Sequence, residues 1–467
     1  MDRPDTILIY AINRTDAWWK HVGENLGFAR NVVVTDIRGK GDCDVIDDFY
    51  DAYRRQRTQP NAPMAVLSAE EVDDVIARCR LLRWLPTRQA RGMVVAMEHA
   101  FTRVLDRVDP ALVLSFPIDR YVSDVLERLA RRRNIPYVEL TASLISGMSM
   151  LMYRGQLVKT AAAPSPDMVR EQVQTIAKPD FTPSYVQTAV RYTSSRWWKT
   201  FIYFRIRGLG FKLISWFKRD ALNLHYLDAQ AFLGHKPRLA DRRIVDMVDW
   251  QWRDKIDAFP KHKRVFFGLQ LFPEASIDYW LANRELIDYE DLLIDAATAF
   301  SRAGFQILVK DHPSQFGFRQ CALLDRLLAL PNVVLLPYEV SGNEAISLVG
   351  SNFTLTGTLG LQAALLGLVS VASPTYYTTP GDFLTFNSRA AIPDLPALVQ
   401  ATPPATALEQ RQERILTHLL QGSFEGDFFS FRGFSSDAPH PGAKTLAEEL
   451  GRQLRAVLNR SRQALHA

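Results

Sequence analysis

The residues of this 467-residue chain best suited to chemistry lie in two short segments of its C-terminal half. Lys310-Asp311-His312-Pro313-Ser314-Gln315 follows the apolar run 305–309, so a strand ends and meets at once a cation, an imidazole and a proline that stops regular structure. Lys310 and His312 are placed to neutralise a phosphate, and Pro313 fixes the turn that aims the imidazole. The plain alternative is a surface loop whose histidine only caps a neighbouring turn. The second segment runs Thr354-Leu355-Thr356-Gly357-Thr358-Leu359-Gly360-Leu361-Gln362 and closes at Gly367. A strand turns here through glycines and hydroxyls into a short helix, with Gly367 as the C-terminal cap. A helix N-terminus with free N–H groups attracts anions, and Thr356 and Thr358 add hydroxyl donors for a mono- or diphosphate. The alternative is an ordinary βα turn with a threonine N-cap.

Both segments need a sheet whose strand ends hold them side by side. Strand-like apolar runs at 6–12, 32–37, 111–116 and 135–140, with helical patterns over 69–108 and 122–133, imply βαβ units and a parallel sheet in the first third. The alternation lapses from 164 to 263. It returns with strands at 264–269, 305–309, 333–336, 353–356 and 369–372, separated by helices near 289–303 and 321–330. The expected fold class is α/β, with boundaries at 1–163 for an N-terminal Rossmann-like lobe, 164–263 for a helical insertion, 264–400 for a nucleotide-binding lobe and 401–467 for a tail ending in a helix over 443–465. In open α/β sheets ligands bind beyond the carboxyl ends of the strands, where both segments fall.

Bulk composition narrows the function. Apolar residues make up 47% and charged residues 23%, so a chain of this length can bury a sizeable core. A net charge of +5 is small for the length and argues against nucleic acid as a partner. Cys43, Cys79 and Cys321 form neither a zinc spacing nor a disulfide framework, which suits a reducing compartment. The opening residues lack a basic region followed by a long apolar one, and no apolar stretch approaches the ~20 residues a bilayer span needs. The expected location is the cytoplasm or the inner face of the cytoplasmic membrane.

Taken together, Lys310-Asp311-His312-Pro313, the turn Thr356-Gly357-Thr358-Leu359-Gly360-Leu361-Gln362-Ala363 and the strand opened by Gly367 and ending near Val371 resemble the bacterial glycosyltransferases of capsule and surface-polysaccharide biosynthesis, including the capsule-synthesis family of Kdo transferases. That family carries Lys-x-His-Pro, then Thr-Gly-Thr-x-Gly-x-(Glu/Gln)-Ala. Leu269-Gln270 followed by Pro273-Glu274-Ala275-Ser276 looks like the family's strand ending in Gln or His and its Pro-Glu-Ala-(Ser/Thr) segment. Tyr376-Tyr377 before Pro380-Gly381 resembles its aromatic loop. The likeness covers 264–386 well and the N-terminal lobe loosely. Gln362 stands where many relatives have Glu, which weakens a ribose or sugar hydroxyl contact.

The resemblance implies a GT-B-like enzyme with two Rossmann-type lobes, donor nucleotide in the C-terminal one and acceptor in the other. It implies a donor site of Gln270, Glu274, Lys310, His312, Pro313, Ser314, Thr356, Gly357, Thr358, Gly360 and Gln362. No cofactor or metal is implied, because basic side chains and helix dipoles stabilise the departing phosphate. The first donor would be a CMP-sugar such as CMP-Kdo, then a UDP- or GDP-sugar; the acceptor would be a growing glycan or a lipid-linked one. An inverting transferase also needs a carboxylate base. Asp119 after the third strand is the first candidate, Asp16 in the first βα loop the second and Glu139 the third, each with a plain alternative as a helix cap or surface charge. A metal-dependent alternative rests on the Asp42-Cys43-Asp44 triplet.

Residues 196–219 interleave aromatic and basic side chains, with Gly208 and Gly210 expected to break the middle into a helical pair. Such a segment suits a membrane headgroup region and would bring the enzyme to a lipid-linked acceptor as a peripheral contact; otherwise it packs on the lobes with its cations solvated. Three rivals stand beside the transferase. A nucleotide-sugar epimerase shares the two-lobed fold, but its Gly-Gly-x-x-Glu-Glu pattern does not match Leu359-Gly360-Leu361-Gln362. A polyol-phosphate transferase of the teichoic-acid type also pairs a His-Pro loop with a Ser/Thr-rich turn. The third is a non-catalytic polysaccharide-assembly protein.

Overall fold

The alternation of Val/Ile/Leu-rich runs with amphipathic helices folds into two doubly wound units in a computed structural model. The structure describes residues 5–12, 14–58, 66–160, 163–182, 192–223, 226–227, 238–272, 274–403, 407–432, 434 and 441–466. One unit comprises Met1–Pro164 with Leu419–Ala467, the other Ser165–His418. The segment 164–263 therefore clusters almost wholly with the second unit, and the last 49 residues with the first.

The first unit holds strands β1 (Thr6–Ala11), β2 (Arg30–Thr35), β3 (Cys43–Asp44), β4 (Leu112–Ser115), β5 (Tyr137–Ala142), β6 (Met148–Tyr153) and β7 (Gln156–Leu157). The second holds β8 (Arg264–Gly268), β9 (Gln306–Lys310), β10 (Val333–Leu335), β11 (Ser351–Phe353), β12 (Val369–Ala372) and β13 (Leu384–Thr385), and β14 (Ser423–Glu425) returns to the first. The first sheet runs β14-β6-β5-β4-β1-β2-β3. Its segment from β5 to β3 is parallel, whereas β6 is antiparallel to β5, β7 and β14. The second sheet runs β10-β9-β8-β11-β12-β13, parallel throughout. Counted from its own first strand, that order is 3-2-1-4-5-6, the doubly wound Rossmann order. The fold class is α/β, as the alternation implies.

Both strand sets are buried because helices cover both faces, so their residues are apolar without a polar alternation. In the first unit Trp18 and Trp19 pack with Phe116 and with Leu446, Leu450 and Leu454 of the helix Pro441–His466. In the second, Phe266, Leu308 and Val334 from three neighbouring strands pack with Ile346 and Trp252.

Two expectations are corrected. The periodicity over 69–108 belongs to two helices, Ala69–Arg78 and Thr87–Val108, because Pro86 cannot continue a helix and instead precedes the second one. Residues 194–217 form one 24-residue helix, not a broken pair. A glycine costs only about 1 kcal/mol in a helix interior. Here Trp197, Phe204 and Phe211, seven residues apart, repeat along one face with Gly208 and Ser215 buried beside them, so packing carries the helix through both glycines.

Candidate functional site

The strand order of the second sheet reverses between β8 and β11, so the loops after β8, β9 and β11 emerge side by side at its carboxyl edge. Gln270, two residues beyond β8, bridges two of them. Its Oε1 accepts the backbone N–H of Leu355 and of Thr356, both at 3.1 Å, and its Nε2 donates to Thr356 Oγ1 at 2.9 Å. Thr356 in turn donates to the Ser276 carbonyl at 3.2 Å, and Thr354 Oγ1 accepts the Gly357 N–H at 3.1 Å. Gln270 and Thr356 thus shape the turn with atoms that face each other. Gly357 and Gly360 are there because a Cβ has no room: at either position it would lie 2.7 Å from Thr354, and at Gly360 also 2.7 Å from Tyr377 Oη. Glu274 begins the short helix Ala275–Asp278 and accepts Ser276 Oγ at 2.8 Å.

β9 ends in Lys310, which is buried although it is a lysine. Among the described residues its ammonium makes one long hydrogen bond, 3.4 Å to the Asp311 carbonyl. Burial pushes its pKa down to about 8, against the opposing pull of Asp311 and Glu339. A buried, under-coordinated ammonium is stabilised by any anion that reaches it. Asp311 does not serve as that anion. Its carboxylate accepts the His312 N–H at 2.8 Å, Arg319 Nε at 3.0 Å and the Tyr338 hydroxyl, and it forms a fully buried ion pair with Arg319. Arg319 also donates to the Gln270 carbonyl at 2.8 Å, so the ion pair clamps the loop after β9 to the loop after β8.

His312 occupies the N-cap of the single 3-10 turn Pro313–Gln315, with Pro313 in its first position. Its Nδ1 accepts the Ser314 N–H at 3.1 Å, which assigns the neutral ring a proton on Nε2. Burial lowers the His312 pKa; Asp311 opposes, and Arg319 and Lys310 add to the lowering. The imidazole is therefore neutral at pH 7 and presents an N–H donor. Both alternatives read from the sequence hold at once, because one ring nitrogen caps the turn while the other has no partner among the described residues.

The helix Thr358–Leu365 starts beside these groups, with Gly357 at its N-cap. The Thr358 hydroxyl has no hydrogen-bond partner among the described residues. Gln362 is occupied: its Nε2 donates to the Phe181 carbonyl at 2.8 Å, which Asn343 Nδ2 also meets at 2.8 Å. A carboxylate could not donate there, which is a local reason for Gln over Glu at this position.

In the first unit Asp16 and Asp119 follow the carboxyl ends of β1 and β4, whereas Glu139 lies inside a strand. Asp119 makes a bidentate pair with Arg120 at 2.8 and 2.9 Å, and although burial would raise its pKa, the guanidinium holds it below the usual carboxylate range. Asp16 opens the helix Asp16–Glu24, half-buried, with a long 3.4 Å contact from the Gly41 N–H. Glu139 lies within β5, fully buried, accepting the Arg154 N–H at 2.8 Å, and burial pushes its carboxyl up to about 7. Arg154 itself pairs with the buried Asp124 and Glu127. The Asp42-Cys43-Asp44 triplet forms a turn and edge strand. Asp42 accepts the Val33 N–H at 2.8 Å and pairs with Lys20, while Asp44 accepts the N–H of Gly39 and of Ile46. Among the described residues no group of three or more His, Cys, Asp or Glu is arranged to hold a metal ion.

Sequence reasoning missed Arg319, Tyr338 and Asn343. One signal was available for the first two: an acid between a lysine and a histidine at a strand end needs a donor from elsewhere once buried.

No family model matches the sequence, and no curated protein does. Among solved structures the chain is similar to the β-Kdo 2,4-transferase KpsC of Thermosulfurimonas dismutans, at 12% identity and a TM-score of 0.36, over 69% of this chain and 83% of that one. It is similar to a putative UDP-N-acetylglucosamine 2-epimerase of Listeria monocytogenes at 8% and 0.26, over 89% and 91%. A glycosyltransferase of Rickettsia africae matches at 8% and 0.27, over 99% of both chains. At such TM-scores none of the three bears on the activity of this chain.

Proposed function

We propose that this chain is a glycosyltransferase of the GT-B type that moves a sugar from a nucleotide-activated donor to a growing surface polysaccharide or a lipid-linked glycan. The supporting observation is that three anion-seeking groups follow strand ends on either side of the strand-order reversal of the second sheet: the buried Lys310 ammonium ends β9, the His312 Nε2–H follows it, and the helix Thr358–Leu365 starts after β11. In this reading Lys310, His312, Gly357, Thr358 and Gly360 meet the donor phosphate. Gln270, Thr356, Glu274, Pro313 and Ser314 shape the loops around it, and Gln362 acts through the Phe181 carbonyl.

The acceptor hydroxyl oxygen bonds to the anomeric carbon as the bond from that carbon to the phosphate oxygen breaks, with inversion. The phosphate leaves with the electron pair, its charge stabilised by Lys310 and the helix N-terminus. The hydroxyl proton passes to a carboxylate. Asp119, Asp16 and Glu139 are the proposed bases. Asp16 has the fewest competing contacts; Asp119 is the weakest base because of Arg120, and Glu139 has the pKa best matched to neutral pH but no exposure. Cytidine monophosphate sugars of the Kdo kind are the first proposed donors, UDP- and GDP-sugars the next. The proposed setting is the inner face of the membrane, reached through the helix Ser194–Phe217. No described helix is long and apolar enough to cross a bilayer.

A thermal-shift series with CMP, UDP, GDP and CDP tests the donor site. The matching nucleotide at about a hundredfold excess over its Kd should stabilise the protein by ~2.7 kcal/mol, and His312→Ala should lose the shift. No shift with any of the four would overturn the reading.

A further inference from the structure

The helix Ser194–Phe217 has two faces of different character. At about 100° per residue, Trp198, Ile202, Ile206, Leu209, Leu213 and Trp216 fall on one stripe. The stripe is open, with Ile206 65% exposed, Leu209 71% and Trp216 70%. Lys199 borders it on one side and Arg205 and Lys212 on the other, while Arg207 lies over the Phe204 and Phe211 rings of the opposite face. Residues 193–219 contain seven Lys or Arg and no Asp or Glu. A second copy of this chain would set seven cations against seven, whereas an anionic bilayer complements both the stripe and its flanks. Trp at the rim and long cationic side chains beside an apolar stripe are the elements of interfacial anchoring.

The opposite face touches the anion-seeking loop. Phe204 meets Phe318 edge-to-face at 4.4 Å between centroids, and Thr200 lies so close to Gly317 that a Cβ there would come within 2.9 Å of it. Gly317 itself has φ +85°. Just before the helix, Tyr192 stacks on Tyr338 at 4.8 Å, the tyrosine whose hydroxyl holds Asp311. The helix thus backs the loop 313–320, which follows His312 and contains Arg319.

We infer that the outer stripe of this helix docks on an anionic membrane surface, and that docking steadies the loop 313–320 through Phe204 and Thr200, so that the membrane-bound protein is the one primed for the donor phosphate. The priming clause rests on the donor reading above; docking and loop steadying do not. The stripe is fixed by the bilayer on one side and by the loop on the other, so lipid binding and loop order favour each other.

The test uses the whole chain with vesicles of phosphatidylglycerol and phosphatidylcholine, pure phosphatidylcholine vesicles as control, and hydrogen exchange read at the amides of Gln315, Phe318 and Arg319. These three amides are hydrogen-bonded to carbonyls within the loop, so their exchange reports its opening. The expected result is flotation with anionic vesicles alone and exchange slowed about tenfold. Ile206→Glu with Leu209→Glu, both on the exposed stripe, should abolish flotation and slowing together. Phe204→Ala should float yet lose the slowing. Absence of flotation, equal flotation with both vesicle types, or dimerisation through the stripe would overturn docking; flotation with unchanged exchange would overturn the coupling. Neither readout needs a nucleotide, so a failed nucleotide series would sink the donor reading while leaving these outcomes decisive.

Discussion

Raising the pH from 7 to 9 should weaken donor binding about tenfold, and Lys310 should be the cause. Its pKa near 8 means that roughly nine-tenths of the molecules carry the ammonium at pH 7 and roughly one-tenth at pH 9. If only the charged form holds the phosphate, that ratio is a factor of ~10 in Kd, or about 1.4 kcal/mol. No other group at the site follows the same course. Phosphate monoesters lose their second proton near pH ~6, and His312, with its pKa lowered, is neutral throughout. The sign follows from linkage: a bound anion raises the Lys310 pKa, so above pH 8 binding takes up a proton and affinity falls as pH rises. Isothermal titration of the nucleotide found by thermal shift measures this directly. Lys310→Arg should flatten the profile, because guanidinium stays charged. Lys310→Met should bind weakly at every pH and yet be more stable than wild type near neutrality, since the depression from 10.5 to about 8 corresponds to roughly 3 kcal/mol of burial cost. That is the pattern of a residue kept for binding at the expense of stability. A wild-type affinity that stays level from pH 7 to 9, or a Met variant that keeps the slope, would refute the reasoning.

Three further outcomes are expected. Asp311→Asn should lower stability by about 3–5 kcal/mol in urea unfolding, because it leaves the Arg319 guanidinium buried without its counter-charge; a loss under about 1 kcal/mol would mean that the pair is not a clamp. Glu139, raised to about 7, binds more protons folded than unfolded between pH ~4.5 and 7, so its contribution is full below that window and is lost as pH rises through 7. The difference between wild type and Glu139→Gln should therefore swing by roughly 3 kcal/mol in favour of the variant from pH 5 to 8, and a constant difference would remove the assignment. Gln362→Glu should set a carboxylate against the Phe181 carbonyl and cost about 1–3 kcal/mol, read as a lower Tm at pH 8; an unchanged Tm would argue against that contact.

Much of the fold was legible because its signals are local. Buried parallel strands are continuous apolar runs, and 264–269, 305–309 and 369–372 differ from the observed strands by a residue or less at each end. The antiparallel strands β6 and β14 were not foreseen. Met148–Tyr153 holds three methionines and one strong strand former, Tyr153, and a three-residue strand such as Ser423–Glu425 has no periodicity of its own. Near the anion-seeking groups, residue types showed where charge would gather, since Lys310, His312 and the glycine turn each carry a local meaning. They did not show that Gln270 bonds inward to Thr356, or that Asp311 is claimed by Arg319 and Tyr338, because those partners lie between 8 and 86 residues away along the chain. Gly208 and Gly210 misled for the same reason. A glycine's helix penalty is local, whereas the packing that offsets it is not.

The return of the chain to its first sheet at β14 has a consequence for synthesis. Strand β6 pairs with β5 on one side; on the other β7 takes Met152 and Tyr153 at once, but Met148–Met150 pair with β14, which follows by some 270 residues. On the ribosome, at about 5–20 residues per second, that edge waits tens of seconds for its partner, and so does the face of Trp18 and Trp19 that the helix Pro441–His466 covers. The second unit is continuous in sequence and ends at His418, before β14 begins at Ser423. Assembly order therefore inverts chain order: the nucleotide-proposed unit closes first, and the unit begun first is finished last. The long-lived open edge of β6 is where a chaperone, or an aggregate, would meet this protein.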